Sequence, residues 1–415
     1  MHMRITTLLA ALCFCIACAS DKDDFGGDAQ EQPHERLNET PPELRDELAP
    51  NELFRAVLNN SPGQVRSASL STPDQIHSLN ANGDSPLGLA LRYGLKESAE
   101  ELITVLSAHD ARTTNGNGDT YIYLAARAGY HGMITRLANL HYSSLNALND
   151  FEFGDLDLEN ADGRTALFVA ANRQVAETLE AQYYRGFLEY PFWGFTMKLD
   201  HSDKTFLHTA AADGREDVIL WAADRACQAS SWESSHSWWQ SLPAILLSRL
   251  TRGIQTFAEG WAGPAQILFN RRDVDGKTAM HLALESRRWR TARALASCRW
   301  LDYDLPDNSG NLPLHSFLQS LNPMQKTLDQ ESKEIFDFVT SQNTKMRQLT
   351  QSPSNRVNTI NQEGETALHL AARLADPYFF QRLRSIGDVY IKNREGITAE
   401  ELFKKQRQQL RQNAY

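Results

Sequence analysis

The chain is poor in cysteine: five in 415 residues, with Cys13, Cys15 and Cys18 crowded at the start. Only Cys227 and Cys298 are left for the rest, too few for a disulfide-built scaffold, and no Cys–His spacing of the zinc type occurs. Positive charge is also short, with 42 Lys and Arg against 52 Asp and Glu. A net charge of −10 removes any whole-protein electrostatic case for nucleic-acid binding. Catalytic signatures are missing as well: there is no H-E-x-x-H and no G-x-S-x-G. Gly276-Lys277-Thr278 imitates the end of a phosphate loop, but Arg271 stands where the loop's first glycine must be. Gly116-Asn117-Gly118 is a lone G-x-G without the rest of a dinucleotide fingerprint. The expectation is therefore a non-enzymatic protein without cofactor or metal. What is present, 41% apolar and 23% charged residues, suits a water-soluble folded body.

The first twenty residues, MHMRITTLLAALCFCIACAS, place Arg4 ahead of a short apolar run that ends in small residues. This is the pattern of a secretory signal, too short for a comfortable transmembrane span. Two outcomes fit. Cleavage after Ala17-Cys18-Ala19 would release a soluble periplasmic protein; alternatively, Cys15-Ile16-Ala17-Cys18 resembles a bacterial lipobox, with Cys15 where leucine is usual and Cys18 as the lipidated residue. The lipoprotein reading, with sorting to the outer membrane, is the better match to the adjoining segment. Residues 20–50 carry ten acidic side chains against three basic ones, a net of −7, and a composition that stays extended as a tether.

From there on the chain repeats itself. Gly364-Glu-Thr-Ala-Leu-His-Leu-Ala-Ala372 recurs as GKTAMHLAL (276–284), DKTFLHTAA (203–211), GRTALFVAA (163–171) and GDTYIYLAA (118–126), with weaker copies at 83–91 and 310–318. Glycine supplies the left-handed turn closing a hairpin, the Thr caps the next helix, and Leu with paired Ala forms a face that stacks closely. This frame resembles the ankyrin repeat. A second glycine, nine residues after the Thr slot, is met by Gly94, Gly129 and Gly214, whereas Arg287, Leu321 and Ala375 depart from it. Residues 51–60 resemble a starting unit and 388–403 a terminal one. The resemblance implies an all-α repeat solenoid with short β-hairpins: a starting unit over 51–79, seven repeats over 80–392 and a terminal unit over 393–415. His208, His281, His315 and His369 share the repeat's period, and in this family that histidine joins turn backbones of neighbouring units rather than acting chemically.

Ankyrin units want about 33 residues, yet the glycine slots at 118, 163, 203 and 310 are followed by stretched gaps of 45, 40, 73 and 54. Insertions are expected near 143–160, 186–200, 228–268 and 322–358. Residues 242–260 have the spacing of an amphipathic helix, preceded by Trp232, Trp238 and Trp239. Residues 181–200, with Tyr183, Tyr184, Phe192 and Trp193 around Pro191 and Gly194, read as a hairpin finger. The acidic alternation over 150–163 reads as a solvated strand rather than a calcium loop. The run SRRWRTARALASCRW (286–300) reads as a solvated outer helix.

Repeat solenoids bind through variable hairpin tips and the ends of their first helices. Carried over position by position, the resemblance gives Arg92, Tyr93, Arg127, Asn172, Arg173, Lys204 and Asp213 as partner-facing residues, with Arg92, Tyr93, Arg127 and Arg173 as the leading cluster. Phe192, Trp193, Trp238 and Trp239 join them as aromatic anchors. The expected activity is binding of a protein partner by a monomer tethered in the periplasm, in its sharper form as an immunity protein blocking an envelope enzyme or toxin. An envelope factor binding lipid or cell-wall material, and an effector directed at a host, are the alternatives. No nucleic acid is expected. Cys227 and Cys298 are an even pair that permits a disulfide in an oxidising compartment, with two isolated buried thiols as the alternative.

Overall fold

The computed structural model describes residues 48–107, 113–144, 156, 158–185, 196–229, 264–298, 300–321, 330–337, 339–340 and 356–412. Glu35–Tyr415 form one compact unit. Residues 1–47, with Cys18 and most of the tether, lie outside the described residues, as does most of each insertion, including residues 242–260, while Leu48 and Ala49, expected in the tether, are buried in the core.

The described unit is a stack of helix pairs joined by tight hairpins. Inner helices are α1 (Glu52–Leu58), α3 (Pro86–Arg92), α5 (Tyr121–Arg127), α8 (Phe206–Asp213), α11 (Ala279–Glu285), α13 (Pro313–Ser320), α14 (Ala367–Leu374) and α16 (Ala399–Gln412). Outer helices are α2 (Pro62–Ser71), α4 (Lys96–Ile103), α6 (His131–Ser144), α7 (Arg173–Arg185), α9 (Glu216–Ala229), α12 (Trp289–Ala296) and α15 (Pro377–Arg384), and residues 330–337 follow α13 as a further helical run. A short helix, α10 (Pro264–Asn270), precedes the hairpin at 273–277. Along the inner row each helix packs on the next: α1 on α3, α3 on α5, then a 3-10 turn at Ala166–Val169, then α8, α11, α13, α14 and α16. The outer row runs α2, α4, α6, α7, α9, α12 in the same way.

The two rows have different compositions for a physical reason. An inner helix is enclosed by neighbours on both sides, so α14 buries Ala367, Leu368, Leu370, Ala371 and Ala372 almost without a polar gap. Paired alanines at 125–126, 210–211 and 371–372 keep the side chains small where helices approach. An outer helix has a solvent face, and α12 buries Trp289, Ala292 and Leu295 at helical spacing while Arg290 stays exposed. The expected solvated outer helix over 286–300 is thus half embedded: Trp289 packs on Phe317 with centroids 5.3 Å apart, and of the two tryptophans only Trp300 reaches the surface.

Inner helices stop at left-handed residues. Gly94, Gly129 and Gly214 supply this at no steric cost, and Arg287 and Ala375, two of the three non-glycine departures, adopt the same conformation with φ of 56° and 55°. Leu321 instead leaves α13 in extended backbone, as the chain enters the stretch at 322–329.

Tyr183, expected to belong to a hairpin finger, lies in a helix instead. Helix α7 continues through Arg185, and Tyr183 is 8% exposed in the core. Val175, Leu179 and Tyr183 recur every four residues, so the helix's buried stripe extends to Tyr183.

Candidate functional site

Eight hairpin tips form one edge of the stack, each built by an Asn or Asp three residues before the glycine slot: Asn80, Asn115, Asn160, Asp200, Asp273, Asp307, Asn361 and Asn393. In every tip its Oδ1 accepts two backbone N–H groups, as Asn115 does from Asn117 and Asp119 at 2.9 Å each and Asp307 does from Ser309 and Asn311 at 2.8 Å each. Backbone bonds then link tip to tip, from Ala161 to Asn117, His201 to Asp162, Val274 to Ser202, Asn308 to Asp275, Gln362 to Ser309 and Arg394 to Glu363. The sequence pattern alone does not single out this Asn/Asp slot, although its fixed offset from the glycine is visible there.

The four repeat histidines lock the inner helices α8, α11, α13 and α14 each to the next hairpin. The Thr205 N–H donates to His208 Nδ1 at 3.1 Å, and His208 Nε2 reaches the Lys277 carbonyl at 3.2 Å. His281 and His369 repeat this toward Asn311 and Ile397, and His315 reaches Thr359. A ring that accepts at Nδ1 and donates at Nε2 is neutral. Burial holds the imidazoles of His208, His281 and His315 down to about 4 and lowers His369 as well. These rings are structural ties.

The slots expected to face a partner are in several repeats paired with each other. Arg92 at the end of α3 donates from Nη2 to Asp84 at 2.8 Å, and Asp84 is fully buried. Lys277 Nζ meets Glu285 at 2.7 Å, Arg373 meets Glu365, and Gln319 donates to Asn311 at 3.3 Å. In each case the residue after the glycine slot binds the residue eight positions on, across the base of its own hairpin.

Arg127 sits at the matching place at the end of α5, but Asp119 is otherwise engaged, accepting from Asn115 and Asn160. Among the described residues no carboxylate forms an ion pair with Arg127. Beside it, Tyr123 is buried, and burial followed by the charge of Asp119 pushes its hydroxyl up to about 12. Arg164, Arg127 and Asp162 also act on Tyr123, so charged groups of two neighbouring repeats converge there. Arg164 bonds Asp200 at 3.0 Å.

The remaining expected residues are scattered. Tyr93 is half-buried at the end of α3. Asn172 caps α7 by accepting from the Val175 N–H at 3.0 Å. Arg173 opens that outer helix and binds Glu177 and Asp224, both at 2.9 Å, so it does not share the inner face with Arg92 and Arg127. The physical reason is the shortened inner element at Ala166–Val169, which brings the outer helix forward in sequence. Lys204 is a half-buried hairpin residue whose N–H bonds Asp200, and Asp213 ends α8 beside Arg215 at 3.2 Å. Phe192, Trp193, Trp238 and Trp239 lie outside the described residues. Cys298 is buried in the core, and the side chain of Cys227 lies outside the described ones. Among the described residues no group of three or more His, Cys, Asp or Glu is placed to hold a metal, and no helix is long and apolar enough to cross a membrane.

No family model and no curated protein matches the chain. Among solved structures it is similar to the ankyrin repeat domain of Bcl-3, described as a unique member of the IkappaB protein family, at 19% identity and a TM-score of 0.42, over 70% of this chain and 99% of that one. The internal geometry is independent of that similarity: hairpin tips bonded in series, inner and outer helices in parallel rows, and Thr–His ties between units. The chain is an all-α repeat solenoid, the architecture that the repeat frame in its sequence implies.

Proposed function

We propose that this solenoid binds a protein partner through the hairpin bases and inner-helix ends around Arg127. The observation that supports it is the contrast between Arg127 and its equivalents. To engage a partner, Arg92 must leave a buried carboxylate, which costs the desolvation of Asp84. Arg127 has no such bond to break among the described residues. A partner carboxylate that displaces water there gains a charge-assisted hydrogen bond outright, next to the aromatic body of Tyr123. Lys204 extends basic character along the same edge, whereas Arg164 is held by Asp200.

In this reading the partner presents an acidic edge, and the protein works in the periplasm, held by lipid on Cys18. Blocking an envelope enzyme or toxin, as an immunity protein does, is the role that such an exported, tethered binding surface fits. The solubilised envelope fraction passed over immobilised residues 19–415 tests it. A single protein retained by the wild type should bind at least tenfold more weakly to Arg127→Glu, and about equally to Arg173→Glu. Retention that ignores Arg127→Glu, or capture of lipid and wall fragments alone, overturns the proposal. Fractionation of cells carrying Cys18→Ala tests the anchor, which requires the protein to leave the membrane fraction.

A further inference from the structure

A second surface lies at the other end of the described stack. Helices α15 and α16 enclose a groove of about 740 Å³. Its floor is the stacked pair Phe380 and Phe403, with ring centroids 4.0 Å apart and planes 3° from parallel. Its rim is basic, formed by Arg384, Lys404, Arg407 and Arg411. Arg384 is neutralised by Glu400 at 2.6 Å. The other three form no ion pair among the described residues, and Arg407 lies over the Phe403 ring at 5.8 Å.

The spacing of these cations carries the argument. Lys404, Arg407 and Arg411 stand at i, i+3 and i+7 on a single helix, so they form one stripe about 10 Å long at the 1.5 Å rise of an α-helix. Helix α16 is 14 residues long but buries only Ala399 and Leu402, so its last two turns present this stripe to solvent. A helix built only to close the stack would need neither the length nor three cations in register on its groove side beyond Glu400. An aromatic floor accepts an apolar side chain, and guanidinium groups beside it accept carboxylates in bidentate geometry.

We propose that this groove docks an acidic amphipathic helix of a partner protein, its apolar stripe on Phe380 and Phe403 and its carboxylates opposite Lys404, Arg407 and Arg411. Charge complementarity selects that occupant. An anionic membrane surface fits less well, because interfacial helices insert an apolar face beside their cations and the described end of α16 exposes only Leu410 as a large apolar side chain. This surface is separate from the one around Arg127, and the two stand or fall independently.

The test uses the full chain and a fluorescein-labelled model helix of fifteen residues, with Glu at i, i+3 and i+7 and Leu on the opposing stripe. Fluorescence anisotropy should show saturable binding that weakens at least tenfold for Lys404→Glu/Arg407→Glu/Arg411→Glu, whose exposed positions leave the melting temperature unchanged. Arg127→Glu should bind the peptide as the wild type does. A peptide with its Leu stripe changed to Gln should also lose at least tenfold. Equal binding of that Gln peptide, or of a scrambled peptide, reduces the site to unspecific attraction and overturns the proposal. So does binding to vesicles of phosphatidylglycerol and phosphatidylcholine in 1:3 ratio that the triple variant abolishes while the peptide fails to bind.

Discussion

Arg215 donates from Nη2 to the carbonyl oxygen of Phe168 at 2.7 Å and from Nη1 to that of Ala170 at 2.8 Å, reaching back one repeat from the start of an outer helix. The inner element it reaches is the single 3-10 turn at Ala166–Val169, too short to satisfy its own last carbonyls. The guanidinium, fully buried and with its pKa lowered by that burial, takes the place of the missing helical turn. Arg215→Met removes the donor to the buried Ala170 carbonyl and leaves the Phe168 carbonyl to the Thr209 hydroxyl, and unfolding by urea should show a loss of about 1–3 kcal/mol. Arg215→Lys, a point donor in place of a fork, should recover less than half of it. A loss below about 0.5 kcal/mol for Arg215→Met would mean that water replaces the bridge.

The Asn/Asp slot of the tips makes a second prediction. Asp273 Oδ1 accepts from Asp275 at 3.0 Å and from Lys277 at 2.8 Å, and that hairpin's neighbours are bonded to it through Val274 and Asn308. Asp273→Ala should cost about 1–3 kcal/mol by leaving both N–H groups short of an acceptor, while Asp273→Asn, which keeps the accepting oxygen, should cost under about 1 kcal/mol. Equal melting temperatures for the two variants would show the tip holds without its side-chain acceptor.

Much of this stack is legible in the chain itself, and the parts that are not share a cause. Glycine slots, paired alanines and histidines recur because every unit solves the same packing problem, so the stack can be read from any one copy. The ion pairs Asp84–Arg92, Lys277–Glu285 and Glu365–Arg373 are also written in the sequence, as opposite charges eight residues apart, but their partner-facing positions suggest binding instead. Arg215 is not legible, because its role depends on a neighbouring helix being one turn too short. Tyr183 reads as part of a finger because Pro191 and Gly194 dominate the local signal, whereas the burial that keeps it helical comes from contacts outside the segment.

Asp203 is the one hairpin residue in the glycine slot that is not glycine, and it holds φ of 58°. Aspartate tolerates the left-handed region better than most residues, yet still at a cost near ~1 kcal/mol. Its ion pair with Arg271 is long, at 4.0 Å, and solvent-exposed, so it returns little. Asp203→Gly should therefore raise stability by about 0.5–1 kcal/mol, read as a shift of the urea midpoint at unchanged slope. A destabilised variant would show that the Arg271 contact outweighs the backbone strain.

The histidine ties make stability depend on acidity with a definite sign. His208, His281 and His315 are neutral when folded, with values of about 4, against about 6.5 in the unfolded chain. The unfolded state therefore binds more protons between these limits, and stability is fully present above about pH 6.5 and lost as pH falls toward about 4. Each ring accounts for about 2 kcal/mol at about pH 5 by linkage, and His369 adds in the same direction. The carboxyls of Glu180 and Asp273 are shifted upward by burial, which works in the opposite sense. Their ordinary range lies lower, so the histidines dominate from about pH 6.5 to about 5. Urea melts at about pH 8, 6.5, 5.5 and 5 should show a steep decline only below about 6.5. In His281→Ala the stability at about pH 8 should be lower, because the Thr278 N–H and the Asn311 carbonyl lose their bridge, while the slope below about pH 6.5 should be shallower by the share of one ring. A variant whose slope matches the wild type would place the acid sensitivity elsewhere than in these ties.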